Sequence, residues 1–394
     1  MARIIFYHPL PLADSPTSGS QLRPVRMLQA FRDEGFLVDP VVGSSKDRRR
    51  HMQRIRSRMR SGVEYAFMYA ESATVPIPLS DPHHLPVRPL QDALFFEELS
   101  RQQISIGLFY RDVYWQVEEL KYKGPLWKRL PKRAFLWLEW FLYRRCVDHL
   151  FLPTESIRSL LPTEWSPERL SALPPGCDDQ TSGQIQVDLN REDEPLRLFY
   201  VGGVTPPYYD LRPLFEVVSR VKGLQLTLCC RKWEWKEQET TYRVQDREDV
   251  EVVHAHSNEI ERYYRAADLA ADFRRPEGYL RTALPIKVVE AIGYGVPSVM
   301  LRGTEAAAFV EDEGVGWTFN SLSEAGAGLR HLRDHRDEIA ERYKQIKAAR
   351  PRHTWQARAR QAAAVLTGST SANNRDVERN PKGEKIRVKS RTGT

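Results

Sequence analysis

Ala283-Leu-Pro-Ile-Lys-Val-Val-Glu-Ala-Ile-Gly-Tyr-Gly-Val-Pro-Ser-Val-Met300 is a helix and a strand joined by a glycine. Pro285 suits the first helical position, where its missing N–H leaves nothing unsatisfied. Gly295 closes the helix over Pro285–Tyr294, and Val296-Pro297 launches a strand over Pro297–Leu301. A short strand, Leu269–Phe273, precedes the helix, so the stretch completes a β–α–β unit of a parallel sheet. Lys287 and Glu290, three apart, share one face near the helix start, while Ile286 and Val289 turn toward a core.

The same grammar runs outward in both directions. Leu196-Arg-Leu-Phe-Tyr-Val201, followed by Gly202-Gly203 and a helix from about Leu211, opens the series, with strands at Leu224–Cys230 and Val250–His254. An earlier series begins with Arg3-Ile-Ile-Phe-Tyr-His8, a helix over Arg23–Glu34 stopped by Gly35, and a strand at Leu37–Val42. It continues with Val63–Tyr69, Ile104–Tyr110 and His149–Leu152. Between the two series, Asp178–Glu194 is polar, without a sustained period, and reads as a linker. The expected fold class is α/β with two Rossmann-like domains, residues 1–177 and 195–350, facing each other across a cleft with ligand at the carboxyl ends of the strands. Residues 351–366 read as a final helix, and 367–394 as a disordered basic tail.

Composition narrows the class. The 394 residues are 41% hydrophobic and 28% charged, an ordinary globular balance. No charge-free apolar run approaches the ~20 residues that cross a bilayer, and the first residues read as a strand rather than a signal peptide. Cys146, Cys177, Cys229 and Cys230 make no CxxC pair, so reduced core thiols and a cytoplasmic location are expected. Thr367–Thr394 holds seven Lys/Arg against three acids, which leaves a body too near neutral for a dedicated nucleic-acid binder. No nucleic-acid partner is expected.

The helix start at Ile286 offers unpaired N–H groups and partial positive charge, both suited to phosphate, and Lys287 adds a full charge. Glu290, one turn on, can accept hydrogen bonds from two vicinal ribose hydroxyls. The pair fits a sugar nucleotide across the helix end; taken alone, it fits an ordinary ion pair on a solvated face as well. Around it, Pro285-x-Lys287-x-x-Glu290-Ala291 with Gly293, Gly295 and Pro297 resembles the retaining glycosyltransferases of the GT-B fold, of the family 4 type. Leu198-Phe-Tyr-Val-Gly-Gly203, Leu173-Pro-Pro-Gly-Cys-Asp178, Ala266-Ala-Asp-Leu-Ala270, Gly314-Val-Gly-Trp317 and the helix at Trp355 fit the family's order.

The resemblance implies a nucleotide-sugar donor, retention at the anomeric carbon, Glu290 on the ribose, and a C-terminal helix that returns to the N-terminal domain. Two features depart from the family. Eight residues before Glu290 stands Thr282 rather than an acid, with Glu277-Gly278-Tyr279 the nearest carboxylate-bearing loop. Gly202-Gly203 leads into Val-Thr-Pro-Pro-Tyr-Tyr-Asp210 instead of a basic phosphate pair. Lys287, aided by Arg231 or Arg281, is therefore expected on the leaving diphosphate, with Tyr279, Gly202 and Gly203 on the donor side. No Asp-x-Asp triplet occurs, so neither a metal nor a further cofactor is expected.

In the N-terminal half, Ile104–Tyr110 runs straight into Arg111-Asp112-Val-Tyr114. Arg111 and Asp112 are expected at the reacting sugar, and Tyr114, Glu71, Gly19 and Ser20 on the side of a glycan or lipid-linked acceptor; a loop ion pair and plain turns are the simpler readings. Lys46–Arg60 and Lys121–Arg145 each carry eight Lys/Arg against one acid, the second interleaved with Trp, Phe and Leu. Both suit an anionic membrane surface, on the inner face of the membrane, or else are a solvated charge run and a buried helix. The function expected is glycosyl transfer in cell-surface polysaccharide or glycoconjugate synthesis. A nucleotide-sugar epimerase of the same fold and a catalytically silent scaffold subunit are the alternatives.

Overall fold

The computed structural model describes residues 1–16, 18–117, 126–179, 194–244, 247–255 and 259–373. They form two compact units: Met1–Leu12, Met27–Leu173 and the chain from Ala359 on; and Ala13–Arg26 with Pro174–Arg358. Most of the linker expected at Asp178–Glu194 lies outside the described residues, as does the tail from 374.

The first unit is built from β1 (Arg3–His8), the later part of α1 (Gly19–Asp33), β2 (Leu37–Val42), α2 (Ser45–Arg60), β3 (Phe67–Glu71), α3 (Gln91–Arg101), β4 (Ser105–Phe109), α4 (Leu126–Cys146), β5 (His149–Leu152) and β6 (Leu170–Ala172). All strand pairs are parallel, in the order β2-β1-β3-β4-β5-β6. β3 and β4 are buried at every residue, as strands covered on both faces must be. α2, anticipated only as a basic run, is a helix with a Ser44–Asp47 capping box, and Arg48, Met52 and Ile55 form its buried face.

The second unit holds β7 (Leu196–Val201), α5 (Arg212–Arg220), β8 (Leu224–Cys229), α6 (Lys232–Tyr242), β9 (Val250–Val253), α7 (Ile260–Ala266), β10 (Leu269–Asp272), α8 (Ile286–Tyr294), β11 (Ser298–Leu301), α9 (Glu305–Asp312), β12 (Gly316–Phe319), α10 (Leu322–Asp334) and α11 (Arg336–Ala349). Its parallel order is β12-β11-β10-β7-β8-β9, which reverses between β7 and β10. Alternation along β7 divides the core: Leu196, Leu198 and Tyr200 join α5 and α10, while Phe199 packs with α7 and α8. α10 and α11 are separate helices that meet at His335.

α12 (Trp355–Asn373) begins in the second unit and continues, from Ala359, in the first. Its Leu366 methyls stand 2.7–2.8 Å from where a Cβ on Gly107 of β4 would lie, so only glycine admits the helix there. Residues 367–373, read as part of a disordered tail, are helical. Gly19 and Ser20, read as part of the first domain, belong to the second unit.

Candidate functional site

The reversal of strand order in the second sheet opens at the carboxyl ends of β7 and β10, where doubly wound sheets bind ligands. β7 delivers Gly202 and Gly203 there, β10 delivers Asp272, and α8 returns with Lys287 and Glu290. Pro285 is the cap of α8 rather than its first residue, and Gly295 ends it with φ 81°. Gly202 lies at φ 149°, and a Cβ on it would come within 3.5 Å of Lys287 Nζ, so the glycine loop and the lysine meet directly.

Lys287 Nζ stands 3.0 Å from Asp272 Oδ2 and 3.9 Å from the centroid of the Tyr200 ring. The same carboxylate takes two bonds from Arg274, Nε to Oδ1 at 2.6 Å and Nη2 to Oδ2 at 2.7 Å. One anion thus faces two cations, leaving net positive charge at the switch point. Burial pulls the Lys287 amine down to about 7, partly opposed by Asp272. Arg274 and Lys287 hold Asp272 well below the usual carboxylate range despite its burial.

Glu290 follows one turn along α8. Burial raises its carboxyl to about 7, with Tyr264 opposing and Asp178 adding to the rise. The Tyr264 hydroxyl donates to Glu290 Oε2 at 3.3 Å, and its ring stacks on Tyr294 at 4.4 Å. Arg26, paired with Asp178 at 2.6 Å, also opposes the rise. Gly19 packs on Ile286, whose Cδ1 stands 3.0 Å from the position of a Cβ there, so the loop around Ser20 borders the start of α8. Both residues were expected on the acceptor side of the first domain; they belong to the second unit, beside the start of α8.

The other donor-side residues are less committed to this point. Arg231 caps α6 beyond β8 and pairs with Glu234 at 2.5 Å. Tyr279 and Arg281 lie in the 3₁₀ turn Gly278–Thr282 that leads toward α8, with Arg281 exposed. Glu277 is exposed ahead of that turn.

In the first unit, Arg111, Asp112 and Glu71 gather at the carboxyl ends of β3 and β4. Thr74 donates to Asp112 Oδ2 at 2.7 Å, Arg111 Nε donates to the same oxygen at 3.3 Å, and Arg111 also bonds Thr74. Glu71 is buried and accepts from the Tyr69 hydroxyl at 3.0 Å. Tyr114 is 36% exposed. His8, at the end of β1, donates from Nδ1 to the Glu71 carbonyl at 3.4 Å, which leaves Nε2 as a lone-pair acceptor. Burial, with Arg111 nearby, lowers the imidazole to about 4, so it is neutral at physiological pH.

Asp272, Arg274, Tyr264 and His8 were not singled out from the sequence. A signal for the first two existed: Asp272-Phe-Arg274 ends a short apolar strand in charged residues, as Arg111-Asp112 does after β4. Among the described residues no three His, Cys, Asp or Glu side chains converge to hold a metal ion, and no helix is long and apolar enough to cross a membrane.

Residues 195–334, which include β7, β10 and α8, match the family Glycosyl transferases group 1. The chain is similar over 93% of its length to all of Anabaena HepE in complex with UDP, with TM-score 0.61 and 13% identity. It is similar over the same share to all of WaaG, a glycosyltransferase involved in lipopolysaccharide biosynthesis, with TM-score 0.53 and 16% identity. Trehalose-6-phosphate synthase OtsA gives TM-score 0.55 and 11% identity, covering 93% of this chain and 99% of that one. No curated protein matches by sequence. The fold is that of the GT-B glycosyltransferases, and the second unit carries the group 1 segment.

Proposed function

We propose that the protein is a nucleotide-sugar-dependent glycosyltransferase whose second unit holds the donor. The observation that carries this reading is the meeting of Gly202, Lys287 and the Asp272–Arg274 pair at the switch point, with Glu290 one turn further along α8. The glycine admits a phosphate to the backbone, Lys287 and Arg274 supply net positive charge, and Glu290 accepts from the ribose hydroxyls. Charge grows on the diphosphate as the glycosidic bond breaks, so cations already fixed there lower the barrier. The HepE relatives, solved with UDP and with UDP-glucose, support a nucleoside diphosphate sugar as the donor class.

The finer reading is transfer of a hexose, with retention and without a divalent metal, to a glycan or lipid-linked acceptor. Arg111 and Asp112 act at the reacting sugar, Tyr114 serves the acceptor side, an anionic membrane surface is a partner, and the setting is polysaccharide or glycoconjugate synthesis at the cytoplasmic face. A panel of nucleotide sugars tests it. One member raises the melting temperature of the protein, and Glu290→Ala removes most of that rise. Turnover to an isomer without acceptor makes the protein an epimerase, and binding without turnover toward any acceptor makes it a silent subunit.

A further inference from the structure

Most of the exposed large apolar side chains among the described residues lie between residues 85 and 141 of the first unit. On α4, Leu130, Leu138 and Phe141 are 65%, 49% and 62% exposed, and their spacing puts them on one face. The buried-helix reading of this segment holds for Leu136, Trp140 and Tyr143 but not for that face. α3 carries a matching strip, with Leu90 at its cap and Leu94 both more than half exposed.

The two strips are neighbours. Phe96 of α3 meets Tyr143 of α4 at 6.3 Å between ring centroids, and Arg145 donates to Glu97 Oε1 at 2.8 Å. Counting back from that ion pair, Leu94 and Phe141 lie one turn away, and Leu90 and Leu138 two turns away. Leu85 and Val87 prolong the apolar surface into the loop before α3. The charge of α4 is positive: Leu126–Cys146 has six Lys/Arg, and its one acid, Glu139, is buried and accepts from the Ile77 amide; the acids of α3 are paired, Asp92 with Arg48, Glu97 with Arg101 and Arg145, and Glu98 with Arg56. The other basic stretch offers no such surface: α2 has no exposed large apolar side chain, and three of its cations are tied into the fold. On α2, Arg48 is 1% exposed on Asp92, Arg56 pairs with Glu98, and Arg58 with Asp39.

We propose that the paired faces of α3 and α4, and not α2, dock on an anionic lipid surface, with the leucines and Phe141 entering the headgroup–acyl boundary. Leucine and phenylalanine strips beside the cations of α4, with the acids of α3 held in ion pairs, complement such a surface in both apolarity and charge. The proposal rests on the membrane partner named above but not on the donor site, because docking is read without a nucleotide.

Co-sedimentation of the full chain with vesicles of phosphatidylglycerol and phosphatidylcholine, and of phosphatidylcholine alone, tests it. The wild type binds the anionic vesicles, and Leu94→Gln with Phe141→Gln weakens binding by about tenfold or more. Arg49→Ser with Arg54→Ser on α2 leaves it unchanged, as does Glu290→Ala, so a failed donor site and a failed docking face are told apart. Unchanged binding by the α3/α4 variant overturns the proposal. So does sedimentation-velocity evidence that the same variant dissolves a dimer while no form binds vesicles, which assigns the face to a second copy of the chain. Because both substituted side chains are exposed, an unaltered circular dichroism spectrum is expected.

Discussion

Asp272 balances two cations with one carboxylate, and each of the three groups depends on it. Replacing it by Asn leaves Lys287 and Arg274 facing each other without an anion, a loss of the kind that costs about 3 kcal/mol. Urea unfolding of Asp272→Asn checks this, and a loss below ~1 kcal/mol would mean that the two cations relax into solvent. Glu290 and Lys287 make the site sensitive to pH in opposite senses. The folded Glu290 keeps a proton up to about 7, above its ordinary 4.5, so its contribution to stability falls as pH rises through that window. The folded Lys287 gives up its proton near 7, below its ordinary 10.5, so its contribution recovers as pH rises from about 7. Both charged forms cost most near neutrality, where the charges are needed. Glu290→Gln is therefore expected to melt higher than the wild type at pH 8 and equally at pH 4.5. Affinity for the nucleoside diphosphate that binds should peak near pH 7, falling below it as Glu290 protonates and above it as Lys287 neutralises. Calorimetry across pH 5.5–8.5 reads this directly, and a flat profile contradicts the roles of both residues.

At the scale of elements, β11 and β12 approach so closely that a Cβ on Gly316 would lie 1.9 Å from the Ser298 carbonyl oxygen. Gly316→Ala must push the strands apart and should lower stability by about 3 kcal/mol, measured by denaturant unfolding, with hydrogen exchange rising first in β12. The β–α–β series was legible in the sequence because apolar runs, glycine stops and helix faces are local patterns. That Lys287 and Glu290 share one face near the start of α8 was legible for the same reason; that Gly202, at the end of β7, stands beside Lys287 was not. α2 was harder to read as a packed helix, because its inward face uses Arg48, a residue type that normally marks solvent. The pairing of Asp272 with Arg274 and Lys287 needed coordinates, since it joins side chains from β10, the loop after it and α8. Gly19 shows the same limit: nothing local to Ser18-Gly-Ser20 announces that its neighbour is Ile286.

At the scale of the molecule, each unit contains a piece of chain from the far side of the sequence. Ala13–Arg26 supplies the second unit with Gly19 and the Arg26–Asp178 pair, and the stretch from Ala359 supplies the first with Leu366. Polypeptides 1–173 and 174–394 expressed separately should therefore not show sharp cooperative unfolding, whereas the full chain should. Well-dispersed amide spectra from either half would sink that expectation. Leu366→Ala, which empties the space over Gly107, should cost about 2–4 kcal/mol and loosen β4 in hydrogen exchange. The late arrival of Leu366 has a further meaning for biosynthesis. A ribosome makes β1 to β6 first, yet the plug that seals their layer is translated only after the whole second sheet has followed. Until Leu366 emerges, the nascent first sheet stays unsealed on one side, which makes it a natural client for chaperones that guard emerging apolar surface.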